Sequence, residues 1–500
     1  MKPNRLLCLV CSLGLLLSTT ACHDFLEKVP QSALTPDNFY NNNAEATAAI
    51  NGVYYRLSNY TGTYAFRYQL LSELTTDDFV WARAAGTLVI INTYTFDSSL
   101  REIASVWEET YQMIAYANSV IKNVPQAAGV TESLRKRIEA EARFLRATGY
   151  FNLVRFFGDV PLITQPYETL DNLQVPRDPV QKVYDQIIED GLFAEQNLPK
   201  KTEIVTAERG RAAQGAAKAM LAKVYLTMAS PGTKGITADK KMLYQKAADK
   251  CKQILDGTSG SYSLMADYGS IFAKTNEYNN EVLFDVQYKS GLGQGATGAG
   301  AIFGGLFVPL SVPTGQANMT PRAGLYDSFP PNDKRRAWGF WTEFTDPAGK
   351  KYTFDQPYVY KYVDIEQLRL NNGADGGINF ILYRLGDVYL MYAEALNELG
   401  RTAEAYSSIN AIRHRAGIGD VSAGLSQADF RNVVWQERRW ELFAEGTRRF
   451  DLVRENRLVE AVRAVGDANN KIQDFHVLLP IPQREINTNK APGFGQNPGY

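Results

Sequence analysis

Residues 385–417, LGDVYLMYAEALNELGRTAEAYSSINAIRHRAG, constrain the fold more than any other stretch. Tyr389, Tyr392, Ala393 and Ala395 recur at helical spacing until Gly400, and Ala403, Ala405, Tyr406 and Ile409 resume it. The alanines let two antiparallel helices approach closely, and the larger apolar side chains fill the seam, which is tetratricopeptide-like chemistry. The stretch AAKAMLAKVYLTMA…YQKAADKCKQIL repeats the scheme with a longer connection. Because the repeats are degenerate and not contiguous, they predict a helical scaffold carrying a large non-helical insertion rather than a regular solenoid.

Other helical patterns agree. IASVWEETYQMIAYANSVIKNV carries Val106, Trp107, Tyr111, Ile114 and Ala117 on one stripe, and TESLRKRIEAEARFLRATGYFNLVRFFG opens with a Thr131 cap and stops at Gly158. A helix starting at Thr35-Pro36-Asp37 is expected to run to about Asn59. Further helices are read in FILYRLGDVYLMYAEALNELG, QADFRNVVWQERRWELFAEG and TRRFDLVREN. Two segments break this rhythm. Residues 60–101 contain TLVIINTYTF, whose β-branched and aromatic residues predict a strand. Residues 259–378 contain the strand-like EVLFDVQY, a glycine-rich loop and a mixture of aromatics, turns and short strands. The tail, DFHVLLPIPQREINTNKAPGFGQNPGY, reads as extended.

The N-terminus follows different rules. Lys2 and Arg5 precede an apolar run, Leu6 to Leu17, too short to span a bilayer as a helix, and small residues lead straight into Cys22. That pattern resembles a bacterial lipoprotein signal, with Cys22 as the lipidated first residue of the mature chain. Cys8 and Cys11 leave with the signal, so Cys251 has no partner for a disulfide and reads as a small buried core residue. The net charge of -1 has no basic block, which argues against nucleic-acid binding.

Few motifs carry chemistry. GQGATG at 293–298 matches G-x-G-x-x-G, but no helix pattern follows and the first acid beyond it is Asp327, so a surface loop is expected. The three histidines are scattered without metal-ligand spacing, and no cofactor is implied. Glu437, Glu441 and Glu445 recur at i+4 on one stripe; as a glycosidase, Glu437 and Glu441 would serve as acid and base. Their neighbours Trp435, Trp440, Leu442 and Phe443 favour instead a packed helix whose glutamates face Arg413, Arg438, Arg448 or Arg449. Asp77 and Asp78 either accept hydrogen bonds from sugar hydroxyls or cap a turn. Trp81, Trp338 and Trp341 lie in the two irregular segments. There an indole face stacks on the C–H face of a pyranose, or the ring fills a small satellite core.

Four stretches together resemble the SusD/RagB family of nutrient-binding outer-membrane lipoproteins: CHDFLEKVPQSALTPDNFYNNNAEATAAINGVYYRL; EAEARFLRATGYFNLVRFFGDVPLI at 139–163; YRLGDVYLMYAEALNELG…SSINAIRHRAGI at 383–418; and ERRWELFAEGTRRFDLVR with LLPIPQREINTN. The resemblance implies a mainly α SusD-like fold. Residues 1–21 are then the signal and 22–500 a single domain, with helical scaffold at 36–258 and 379–457 and ligand-face segments at 60–101 and 259–378. It implies a binder rather than an enzyme, anchored in the outer membrane by lipid and facing the exterior. Its partner would be a SusC-like TonB-dependent β-barrel transporter, to which it delivers a nutrient, usually an oligosaccharide. A peptide or glycopeptide cargo, or a scaffold that binds only protein, stays open. Family ligand sites draw on the loop after the first helix and on the later insertion, which here hold Asp77, Asp78, Trp81, Arg83, Trp338 and Trp341.

Overall fold

The computed structural model describes residues 39–58, 63–64, 66–82, 88–167, 173–290, 303–313, 315–370 and 375–500. The signal segment with Cys22, the Thr35-Pro36-Asp37 helix start, Arg83 and the motif at 293–298 lie outside these residues.

The long helices are α1 (Asn43–Ser58), α2 (Arg101–Asn123), α3 (Glu132–Phe157), α4 (Val180–Asn197), α5 (Gln214–Ala229), α6 (Lys240–Leu255), α7 (Leu385–Glu398), α8 (Thr402–Ala416) and α9 (Gln427–Glu441). From α1 to α6 each helix packs on the next, α7 continues the row by packing on α6, and α8 and α9 both pack on α7. In α1 the buried residues are Ala46, Ile50, Val53 and Leu57, a narrow stripe along one face. Helix α5 is buried on all sides, and its alanines at 216, 217, 219, 222 and 229 let α4 and α6 close in on either flank. Cys251 is buried in α6, as expected. Asp239 caps α6, its carboxylate accepting from Met242 N at 2.7 Å. Thr131 does stand at the N-cap of α3, but its side chain makes no capping hydrogen bond. Gly158, at φ +73°, ends that helix.

Among the described residues, three antiparallel two-stranded ribbons interrupt the helices. Strand β1 (Phe79–Trp81) pairs with β3 (Met319–Pro321), β2 (Val282–Val286) with β6 (Phe380–Arg384), and β4 (Phe340–Thr345) with β5 (Lys351–Val359). The first ribbon joins the two irregular segments, with Trp81 opposite Met319.

Four expectations are corrected. TLVIINTYTF forms no strand but a short helix, Val89–Thr93, ended by Tyr94 in the left-handed region. This turn buries Ile91 and sets Asn92 Oδ1 to accept from Trp81 N at 3.2 Å, so tertiary burial overrides β propensity. FILYR is strand β6 rather than the start of a helix; it is buried on both faces, so its period could not distinguish the two. The chain leaves α9 after Glu441, because Ala444 and Gly446 adopt positive φ. The tail is extended except for a 3₁₀ turn, Asp474–Val477, and a helix, Gln483–Thr488, whose N-cap is Pro482.

Candidate functional site

The charge-rich stretch around α9 divides by helical face. Glu437 and Glu441 are fully buried and Glu445 nearly so. Arg335 donates to Glu437 at 2.6 Å and Glu441 at 3.1 Å, and holds Asp333 at 2.7 Å. Arg384 contacts Glu441 and reaches Glu445 at 2.7 Å and Glu281 at 3.1 Å. Arg415 joins Glu441 to Glu281, Arg413 meets Glu437 at 2.9 Å, and Lys361 meets Glu445 at 2.8 Å. The carboxylates of Glu281, Asp333, Glu437, Glu441 and Glu445 are thus matched by Arg335, Lys361, Arg384, Arg413 and Arg415. Burial alone would raise the Glu441 carboxyl, but Arg415, Arg384 and Arg335 hold it well below the usual range. Both side chains are fully buried against arginines and reach no glycosidic oxygen, so Glu437 and Glu441 do not have the geometry of an acid–base dyad.

Of the expected arginine partners, only Arg413 faces this stripe. Arg438, one residue round the helix, turns to Asp387 at 2.8 Å and Asp451 at 3.0 Å. Arg449 donates to the carbonyls of His476 and Val477. Arg448 and Arg439 reach the acid pair at the start of ribbon β1–β3. Arg448 grips Asp77 with two parallel bonds, 2.9 and 2.7 Å, and Arg439 Nε donates to Asp78 Oδ1 at 2.7 Å. Burial raises the carboxyl of Asp78, and the charge of Asp77 adds to it. At Asp77 the upward push of burial is outweighed by Arg448 and Arg439, and its carboxyl lies below the ordinary range. Trp81 is buried on the same ribbon. Four buried polar atoms here have no hydrogen-bond partner among the described residues: Asp78 Oδ2, Trp81 Nε1, Asn318 Oδ1 and Arg322 Nε.

Trp338 and Trp341 lie elsewhere. Trp338, half-buried at the end of the short helix Lys334–Gly339, stacks on Phe272 with ring centres 5.6 Å apart and meets Tyr360 edge-on at 5.6 Å. Trp341, buried on β4, meets the same Tyr360 at 5.7 Å and Phe354 at 5.0 Å. Trp338, Tyr360 and Phe272 form the aromatic wall of a cleft of about 400 Å³. Its polar side holds Lys274, whose ammonium donates to Ser290 Oγ at 2.8 Å, Asp364 at 3.1 Å and Glu366 at 3.2 Å. Burial works against the charge on Lys274, but the two carboxylates outweigh it and raise its affinity for the proton. Asp364 also accepts from Gly377 N at 2.9 Å and from Gln367 N, the latter capping the helix Ile365–Arg369. An indole and a phenol opposite charged donors and acceptors suit a ligand with one apolar face and an edge of hydroxyls.

Tyr360, Phe272, Lys274, Asp364 and Glu366 escaped sequence reasoning. The signal available was YVYKYVD, in which an alternating aromatic run leads into an acid. Lys274, some ninety residues earlier, carries no local mark of its partnership.

Comparison with known proteins bears on the whole chain. Residues 331–500 match a family model described as the SusD family, and residues 24–226 match one described as "Starch-binding associating with outer membrane". SusD-like protein P2 of Formosa agariphila is 30% identical over 97% of this chain and 98% of its own. The crystal structure of a SusD superfamily protein from Parabacteroides distasonis superposes with a TM-score of 0.78 at 27% identity, covering 94% of this chain and all of that one. A structure titled "Laminarin binding SusD-like protein" superposes with a TM-score of 0.76 at 28% identity, covering 92% and 100%. No helix among the described residues is long and apolar enough to cross a membrane. A mainly helical scaffold interrupted by short ribbons, matched along nearly its full length in sequence and in space, places this chain in the SusD family.

Proposed function

We propose that the protein is a lipid-anchored, outward-facing outer-membrane protein that binds an oligosaccharide unchanged and passes it to a SusC-like TonB-dependent β-barrel transporter. In this reading residues 1–21 are removed, Cys22 carries the lipid, and 22–500 form one domain whose loop-rich segments receive the ligand. The observation that carries the binding step is the cleft of Trp338, Tyr360 and Phe272 opposite Lys274, Asp364 and Glu366. A pyranose stacks its C–H face on the half-buried indole while its hydroxyls pair with the charged edge. A relative of this fold is titled as binding laminarin, which agrees with a glycan ligand. The burial of Glu437 and Glu441 against arginines supports binding without hydrolysis.

The test is native electrophoresis of residues 23–500 through gels containing laminarin, starch, xylan or pectin. At least one polysaccharide should retard the wild type, Trp338→Ala should migrate faster in that gel, and chromatography of the sugar should show no shortened products. A wild type that passes every gel unretarded, or Trp338→Ala retarded as strongly as wild type, defeats the assignment. Cys22→Ser in cells should release soluble protein.

A further inference from the structure

A second cleft, sharing no described lining residue with the first, lies between α2, residues 161–167 and 173–175, and the tail helix Gln483–Thr488. Its volume is about 620 Å³, within the range of about 300–1,000 Å³ that small-ligand sites occupy. We propose that this cleft is a second carbohydrate site, taking a short, uncharged stretch of the same kind of glycan chain. The inference rests on the glycan-binding reading above.

The lining chemistry argues for that occupant. Tyr167 is 46% exposed and Leu173 45%, unusual exposure for side chains of that size, and both line the cleft. Tyr111 is held by its hydroxyl, which donates to Pro161 O at 2.8 Å, so its ring is a fixed part of the wall. The polar groups are of the kind that pair with hydroxyls: the exposed carboxamide of Gln112, and Glu108 with Arg484, 3.3 Å apart. Arg484 is paired with Glu108, and Glu485 also lines the cleft, so the described lining carries one more carboxylate than cation and disfavours an anionic ligand. Among the described residues no strand lines the cleft, so these offer an extended peptide no edge to add to. Aromatic faces beside a carboxamide and hydroxyl-pairing carboxylates therefore fit an uncharged pyranose chain better than a peptide.

Two sites on one chain make a long polysaccharide a bivalent ligand, for which linkage raises affinity by as much as about 10²–10⁴-fold wherever one chain reaches both. The experiment compares wild type, Tyr167→Ala/Gln112→Ala, Trp338→Ala and the triple variant in laminarin gels, and titrates each calorimetrically with laminarin oligosaccharides. Tyr167 and Gln112 are exposed, so the cleft variant should keep the wild-type unfolding temperature. The expected result is partial loss of retardation in the cleft variant and in Trp338→Ala, complete loss in the triple variant, and two oligosaccharides bound by wild type against one by the cleft variant. A cleft variant that migrates and titrates as wild type overturns the second site while leaving the first standing, including the case in which this cleft receives a protein surface. A wild type that binds no laminarin at all overturns this inference in its stated form, and passage through every other gel as well would bring down the glycan-binding reading with it.

Discussion

The ion network around Glu441 and the cleft at Trp338 are neighbours with opposite use of the same residue types. Tyr268 spans them: its hydroxyl donates to Glu441 O at 2.7 Å, and its ring meets Trp338 at 5.9 Å. Lys361 lies over Phe272 at 4.7 Å, and Trp338 also stacks on that ring. In the network each carboxylate meets a guanidinium or ammonium inside the protein, and nothing is offered outward. In the cleft an indole is half-buried and Glu366 is exposed on one side of its ion pair. Charge and aromatic content therefore do not distinguish a site from a core; what distinguishes them is whether the contacts close within the chain.

Breaking the closed side should produce the largest effect. Arg384→Met strips Glu441, Glu445 and Glu281 of a shared buried partner and should lower stability by about 3–5 kcal/mol, read from the urea midpoint. A loss below about 1 kcal/mol would mean the network is hydrated and the contrast with the cleft false. Next, Gly386→Ala should cost about 1–3 kcal/mol, because its Cβ would lie 2.3 Å from Arg384 Nη1 and 2.7 Å from Glu441 Oε1, both locked in place. On the open side the effect should move from stability to binding. Tyr360→Ala should weaken glycan affinity about two- to tenfold, as loss of an aromatic contact worth about 0.5–1.5 kcal/mol implies, and Glu366→Gln should weaken it less. Calorimetric titration ranks the two.

The smallest effect concerns the boundary. Burial pushes the Lys361 ammonium down to about 8, with Glu445 opposing. The unfolded chain holds this proton up to about 10.4, so between pH 8 and 10.4 it binds more protons than the folded chain, and this lysine makes stability rise with pH. Lys361→Met should remove that rise, as seen by comparing unfolding midpoints at pH 7.5 and 9.5 in both proteins. An unchanged slope would show that Lys361 stays charged and belongs wholly to the network.

What the sequence made legible follows from how local each signal is. The alanine seams of α5 to α8 and the glutamate stripe of α9 are written within a few turns, and both read correctly as packing. The arginines opposite that stripe did not, because Arg335 and Arg384 approach from other elements 102 and 57 residues away. The acids at 77 and 78 looked available in an irregular segment, yet Arg448 and Arg439 reach them from across the chain. The same distance hid the Lys274–Asp364 pair. Among the aromatics, position in an irregular segment did not predict exposure: Trp81 and Trp341 are buried, and Trp338 alone of the three lines the described cleft.

Ribbon β1–β3 has a consequence for how the molecule comes to be folded. Its strands are about 240 residues apart in sequence, so pairing Trp81 with Met319 closes a very long loop for only three residue pairs. So small a gain cannot nucleate structure; the helices between must already hold the strands close. The ribbon therefore forms late, and the face it stitches together is completed only after the helices on either side of it have packed.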